Sequence, residues 1–211
     1  MKPEFWDRAA SALARSDPVL KALIVAHPGV HLARRGDPFT TLARAVVGQQ
    51  ISVKAAQSIW NRLVTAARGE GDPVRLEPGR VRRMRLATLR RAGLSERKAD
   101  YLTDLARHFA SGALDPSGWG ALPDEALIGQ LCDVRGIGRW TAEMFLIFHE
   151  LRADVLPVGD IGLQKAVAIH YHGGARLAPA ALATFGARWA PYRSVATWYL
   201  WRSLDPIPVE Y

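Results

Sequence analysis

Helix start and stop signals recur along the whole chain, while the alternating β-branched runs that build strands are nearly absent. Asp17-Pro18 and Asp37-Pro38 each put a capping carboxylate before a proline at the first helical position, where a missing N–H is harmless. Pro123-Asp-Glu125 opens another helix with acids in its first turn, complementing the positive end of the helix dipole. The fold class predicted is all-α. The N-terminal helices are Pro3 to Ala14, Pro18 to Ala26 and Pro38 to Val47. A fourth, capped by Ser52, runs to Ala67 with Ala55, Ala56, Ile59 and Leu63 inward. Residues 69–79 read as a polar surface loop, and Arg80 to Arg91 as one helix carrying six arginines. Beyond a stop at Gly93, Ser95 caps a helix that buries Ala99, Leu102, Leu105, Ala106 and Phe109. A loop around Trp119 precedes helices Pro123 to Leu131, Arg139 to Glu150, Ile161 to Tyr171, Pro179 to Phe185 and Pro191 to Leu204. An extended tail follows from Asp205 to Tyr211.

Composition narrows the function. With 211 residues, 49% hydrophobic and 23% charged, the chain has the balance of a globular protein with one large or two small cores. No run approaches the roughly 18 apolar residues needed to span a bilayer, and residues 1–6 lack the apolar stretch of a signal peptide. The expectation is no membrane partner and a cytoplasmic location, nucleoid-associated in a bacterium. The single cysteine, Cys132, excludes an internal disulfide framework, a four-cysteine iron–sulfur cluster and a cysteine-rich zinc site. Six scattered histidines suggest no metal site, since His170 and His172 would point to different sides of a helix. The formal charge of +8 favours a polyanionic partner, and arginine, 23 of the 28 basic residues, pairs bidentately with phosphate. A coding bias toward arginine and alanine would give the same balance, so charge alone decides little.

The stretch Leu131 to Phe145 says most. Gly136-Ile-Gly138 lies between two helical segments, and Pro157-Val-Gly-Asp160 opens a third. Each glycine marks a position where a Cβ would hinder, through positive φ or through close approach of another chain. The pattern suggests a hairpin that grips a phosphate backbone, with a carboxylate beside it for chemistry.

Val134-Arg-Gly-Ile-Gly-Arg-Trp-Thr-Ala142 followed by Leu156-Pro-Val-Gly-Asp160 resembles the helix-hairpin-helix plus Gly/Pro-Asp signature of the base-excision DNA glycosylases, the HhH-GPD superfamily. Within it the chain is most similar to the 3-methyladenine DNA glycosylase II type. The likeness extends to residues 39–60, to Gly93-Leu-Ser-Glu-Arg-Lys-Ala99 and to Arg188-Trp-Ala-Pro-Tyr-Arg-Ser194, four blocks in order. It implies a two-lobed helical core with the active-site cleft between lobes, and a short form without the N-terminal β-rich domain of some members. One lobe would be 37–156, with the helix-hairpin-helix at 123–150; the other would combine 1–36 and 157–211.

The resemblance also assigns roles. Asp160 becomes the catalytic carboxylate, which stabilises an oxocarbenium-like sugar and orients water. Trp140 stands where bifunctional glycosylase/lyases carry the Schiff-base lysine, which implies a monofunctional enzyme leaving an abasic site unnicked. Trp201 and Trp140 would wall the base pocket, where an electron-rich face suits a cationic alkylated purine. Met144 replaces a pocket tyrosine. Gln50, next to Gln49, would fill the gap left by the flipped base. Gly136 and Gly138, flanked by Arg135 and Arg139, would hold the DNA backbone. A sodium or potassium ion would sit at the carbonyls of Cys132, Val134 and Ile137, with no cofactor required and no iron–sulfur cluster. The expected partner is double-stranded DNA, bound by a monomer that excises alkylated purines such as 3-methyladenine. The alternatives are a non-catalytic helix-hairpin-helix DNA-binding module, or a monofunctional glycosylase for uracil, hypoxanthine or mismatched bases.

Overall fold

The computed structural model describes residues 2–34, 36–67 and 76–204. Among these residues every regular element is helical, and none is a strand. No helix among them is long and apolar enough to cross a membrane. Two compact units form, one from the residues up to Arg34 and those from Leu146 on, the other from the intervening residues through Phe145.

The first unit contains α1 (Trp6–Ser16), α2 (Pro18–Ala26), α10 (Ile161–Tyr171), α11 (Pro179–Gly186) and α12 (Arg193–Arg202), with a 3-10 turn at Ala187–Trp189. α12 lies at its centre, against α1, α2 and α10, and Val195, Ala196, Trp198, Tyr199 and Leu200 are all buried. Trp6 meets Trp198 edge to face at 5.2 Å. Asp17 caps α2 by accepting the N–H groups of Val19 and Leu20. It also accepts the Tyr171 hydroxyl at 2.9 Å and the Trp189 indole N–H at 3.0 Å. This carboxylate, only 5% exposed, therefore ties α2, α10 and the 3-10 turn together. Burial first, and the Asp17 hydrogen bond second, push the Tyr171 hydroxyl pKa above its ordinary value. Trp189, Trp198 and Tyr199 are core residues.

The second unit contains α3 (Pro38–Gly48), α4 (Val53–Ala67), α5 (Pro78–Arg83), α6 (Leu86–Arg91), α7 (Glu96–Ser111) and α8 (Asp124–Cys132). It ends within α9 (Arg139–Phe148), at Phe145. α7 is the hub, touching α3, α5 and α6. Its N-terminus is capped by the Ser95 hydroxyl, which accepts from Lys98 N–H, and its C-cap Gly112 adopts φ 77°. An edge-to-face chain runs from Phe39 through Phe109 and Trp119 to Phe145, at 5.3, 6.0 and 5.5 Å.

Three local expectations need correction. Arg80 to Arg91 is not one helix, because Met84 and Arg85 are extended, with ψ of 136° and 145°. The break lets both Val81 and Leu89 bury, and both short helices lie on α7. On α4 the buried residues are Trp60, Leu63 and Val64, while Ala55, Ala56 and Ile59 lie at intermediate exposure. Pro78 and Gly79, expected in a loop, belong to α5; residues 68–75 and the 205–211 tail lie outside the described residues.

Candidate active site

In the first unit, Asp160 caps α10 with φ −77° and ψ 122°. Its Oδ1 accepts the Leu163 N–H at 2.6 Å and the Trp201 indole N–H at 2.7 Å. Asp160 is 8% exposed. The Pro157-Val-Gly turn is closed by the Asp160 N–H donating to the Pro157 carbonyl at 2.9 Å. The Gln164 amide donates to the Val158 carbonyl, also at 2.9 Å. Helix end, turn and indole together hold the carboxylate in one orientation, which a reacting group needs.

Trp201 is itself fixed. Its ring stacks on Phe148 at 5.7 Å with an interplanar angle of 11°. A Cβ at Gly162 would come within 3.1 Å of both Asp160 Oδ1 and Trp201 Cδ1, so a larger residue would push the indole or the carboxylate aside by a few tenths of an ångström. The resemblance assigned Trp201 to a base pocket; the structure adds that it is a hydrogen-bond donor to Asp160. Gly162 and Phe148 had no sequence signal beyond residue type, because their roles depend on a partner far along the chain.

In the second unit, the hairpin joins α8 to α9. Gly136 has φ 85°, and a Cβ there would lie well inside contact distance of three atoms of the Tyr101 ring. Gly138 is exposed, lacks the positive φ of Gly136, and has nothing within 4 Å of an added Cβ. The fold therefore demands the first glycine sterically, and at the second it gives only the N-cap preference of a helix start. Open space at Gly138 is what close approach by an external backbone requires. The hairpin N–H groups are partly used inside the protein: Ile137 N–H donates to Val134 O at 3.1 Å, and Arg135 N–H to Asp104 Oδ2 at 2.9 Å.

Asp104, on α7, is buried and also receives the Arg107 guanidinium, with His108 Nδ1 at 3.7 Å. Burial acts to raise its carboxyl pKa. The Arg135 N–H and the charges of His108, Arg107 and Arg135 outweigh that effect and hold it below the ordinary value. Gln49 is the C-cap of α3 and donates its side-chain amide to the Gly136 carbonyl at 2.9 Å. Gln50 follows, exposed and at φ 57°, a left-handed conformation rare for a residue with a side chain. One side-chain hydrogen bond thus joins the Gln49–Gln50 turn to the hairpin that carries Arg135, Gly136 and Gly138.

Arg139 is an ion-pair centre. Its Nη atoms meet both oxygens of Glu125 at 2.8 and 2.5 Å, and its Nε donates to Glu143, a 3%-exposed residue, at 2.9 Å. The Glu125 hydrogen bond, with the charges of Glu143 and Glu125, raises the arginine pKa despite some burial. Any phosphate at Arg139 would share it with two carboxylates. Arg135 and Arg139 are nearly equally exposed at their side chains, 59% and 56%, and Arg135 Nε lies 3.7 Å from Asp104 Oδ1. On α9, Trp140 is 39% exposed and Met144 is 8% exposed. Cys132 is exposed and Val134 and Ile137 are buried. Among the described residues no group of three or more His, Cys, Asp or Glu side chains could hold a metal.

Two helices joined through a left-handed glycine form a helix-hairpin-helix, and a capping Asp opens a later helix. The model of the HhH-GPD superfamily base excision DNA repair protein matches residues 43–190. The chain belongs to this superfamily. It is 31% identical over 188 residues to the YfjP protein of Bacillus subtilis, covering 88% of this chain and 66% of that one. The crystal structure of a DNA-3-methyladenine glycosidase from Bacillus halodurans is similar, with a TM-score of 0.85 at 34% identity, covering 93% of this chain and 89% of that one. The Schizosaccharomyces pombe 3-methyladenine DNA glycosylase in complex with abasic DNA gives a TM-score of 0.78 at 30% identity, covering 97% and 98%.

Proposed function

We propose that this protein is a monofunctional DNA glycosylase that removes alkylated purines, 3-methyladenine among them, from double-stranded DNA by hydrolysis, acting as a cytoplasmic monomer. The observation that carries this is Asp160: a nearly buried carboxylate, aimed by the α10 N-terminus and the Trp201 indole, at the position where the resemblance to the Gly/Pro-Asp signature puts the catalytic carboxylate. The bond between sugar C1′ and the base nitrogen breaks, and the base departs with the bonding electrons. Asp160 stabilises the positive charge that develops on the sugar. It also orients a water, whose oxygen bonds to C1′ as a proton is released. Alkylation makes the base a better leaving group, so discrimination comes partly from the substrate. Trp140, an indole where lyases hold an amine, forms no Schiff base.

Gly138 and the hairpin N–H groups not engaged inside the protein bind a phosphate, Arg135 adds charge, and Gln50 occupies the space vacated by the flipped base. Backbone carbonyl oxygens suit a sodium or potassium ion. Val134 O, which accepts one N–H, keeps a second lone pair for it alongside the carbonyls of Cys132 and Ile137. Such an ion would place positive charge beside the bound phosphate.

The test is single-turnover incubation with duplexes carrying single lesions, followed by alkali to reveal abasic sites. Wild type should excise an alkylated purine, and Asp160→Asn, which retains a capping oxygen, should fold normally but excise about 100-fold more slowly or worse. Near-normal excision by a well-folded variant would remove Asp160 from the mechanism. Tight DNA binding without excision of any base would instead make the chain a DNA-binding module.

A further inference from the structure

We infer that Lys98 is a positioning residue that locks the Gln49–Gln50 turn and the hairpin into one DNA-gripping unit, with α7 as the bracket. α3 ends at Gly48, and its last carbonyls would otherwise lack helical partners. Lys98 Nζ donates to two carbonyls there, Val47 O at 2.7 Å and Gln49 O at 2.6 Å. Gln49 is thus held at both ends, its carbonyl by Lys98 and its amide by the Gly136 carbonyl. The next two turns of α7 complete the bracket: the Tyr101 ring fills the space beside Gly136, and Asp104 holds the Arg135 N–H.

The ammonium is half-buried on these carbonyls, where burial also lowers its pKa. Its work is mechanical rather than a contact with phosphate. A side chain pushed into a base stack meets resistance, and Gln50 sits at φ 57°, a conformation that persists only when its surroundings enforce it. Lys98 supplies that enforcement, so losing it should weaken insertion of Gln50 and spare the chemistry.

This inference rests on the proposed glycosylase function, and the experiment separates the two. Lys98→Met keeps the apolar stem and removes the donors. The first readout is fluorescence of 2-aminopurine placed opposite a tetrahydrofuran abasic analogue, which rises when a side chain displaces the opposing base and needs no catalysis. The rise should be largely lost in Lys98→Met, as in Gln50→Ala, and restored in Lys98→Arg. The second readout is single-turnover excision of an alkylated purine, either paired or set opposite the abasic analogue, where the stack is already open. Lys98→Met should slow excision about tenfold in the paired duplex and less than about twofold in the open one. If Lys98→Met melts below the assay temperature, Gln49→Leu, which cuts the other end of the same link, should show the same split. Equal losses in both duplexes, or an unchanged fluorescence rise, would overturn the inference. If wild type excises no base, the functional reading fails, and the fluorescence measurement alone decides this one.

Discussion

The two hairpin glycines should respond oppositely to the same substitution. Gly136→Ala forces a Cβ into the left-handed region at φ 85° and against the Tyr101 ring. A non-glycine in that region costs about 1–2 kcal/mol, and displacing a packed ring costs about 1–3 kcal/mol more. The sum, about 2–5 kcal/mol, corresponds to a fall in melting temperature of about 4–20 °C for a chain of this size. Gly138→Ala meets no neighbour, and the Gly138 carbonyl accepts the Ala142 N–H as an N-cap does. Glycine is preferred over alanine at that position by about 0.5–1 kcal/mol, so the melting temperature should fall by no more than about 4 °C. Binding should show the reverse. A Cβ at Gly138 stands where the phosphate approaches, and losing one charge-assisted hydrogen bond, about 1.5–3 kcal/mol, weakens affinity about 10- to 100-fold. Circular dichroism melts and fluorescence anisotropy on an abasic-analogue duplex at one fixed salt concentration measure both. Wild-type affinity in a stable Gly138→Ala protein would refute the phosphate role. A wild-type melting temperature for Gly136→Ala would refute the account of the left-handed turn.

Trp201→Phe preserves an aromatic ring opposite Phe148 and removes the N–H donated to Asp160. Single-turnover excision should fall about tenfold, with affinity for an abasic-analogue duplex unchanged; equal excision rates would mean the indole does not orient the carboxylate. Asp17→Ala leaves the Tyr171 hydroxyl and Trp189 indole without their acceptor inside a core, and two unsatisfied donors should cost about 2–6 kcal/mol, read as a lowered denaturant midpoint. Asp104 has a folded pKa held below its ordinary value, so its stabilising contribution is present above the unfolded pKa of about 4 and is lost as pH falls through the folded value. Asp104→Asn should therefore be less stable than wild type near neutrality, and the gap should close in acid. A gap that stays constant from neutral pH down to about 2 would contradict this assignment.

Much of the site was legible locally. Asp17, Asp37, Ser95 and Asp160 all cap helices as their sequence contexts predict, because a cap needs only its own side chain and the next three residues. Gly136 was likewise legible as a position where a Cβ would hinder. Arg139 illustrates the limit: flanking a Gly-x-Gly hairpin, it resembles a phosphate contact, yet it is engaged by Glu125, 14 residues away. Similarly, six arginines suggested one basic helix, but the burial of Val81 and Leu89 on α7 divides it in two.

The sequence by itself determined an all-helical chain, the hairpin, and Asp160 at the head of a helix, since hydrophobic period, capping residues and glycine act over a few residues. Only the tertiary structure decided what holds those parts. Trp201 reaches Asp160 across 41 residues, Lys98 reaches Gln49 across 49, and Gln49 reaches the hairpin across 87. The physical reason is that a side-chain hydrogen bond depends on where two backbones are brought by packing, and local periodicity carries no record of that meeting.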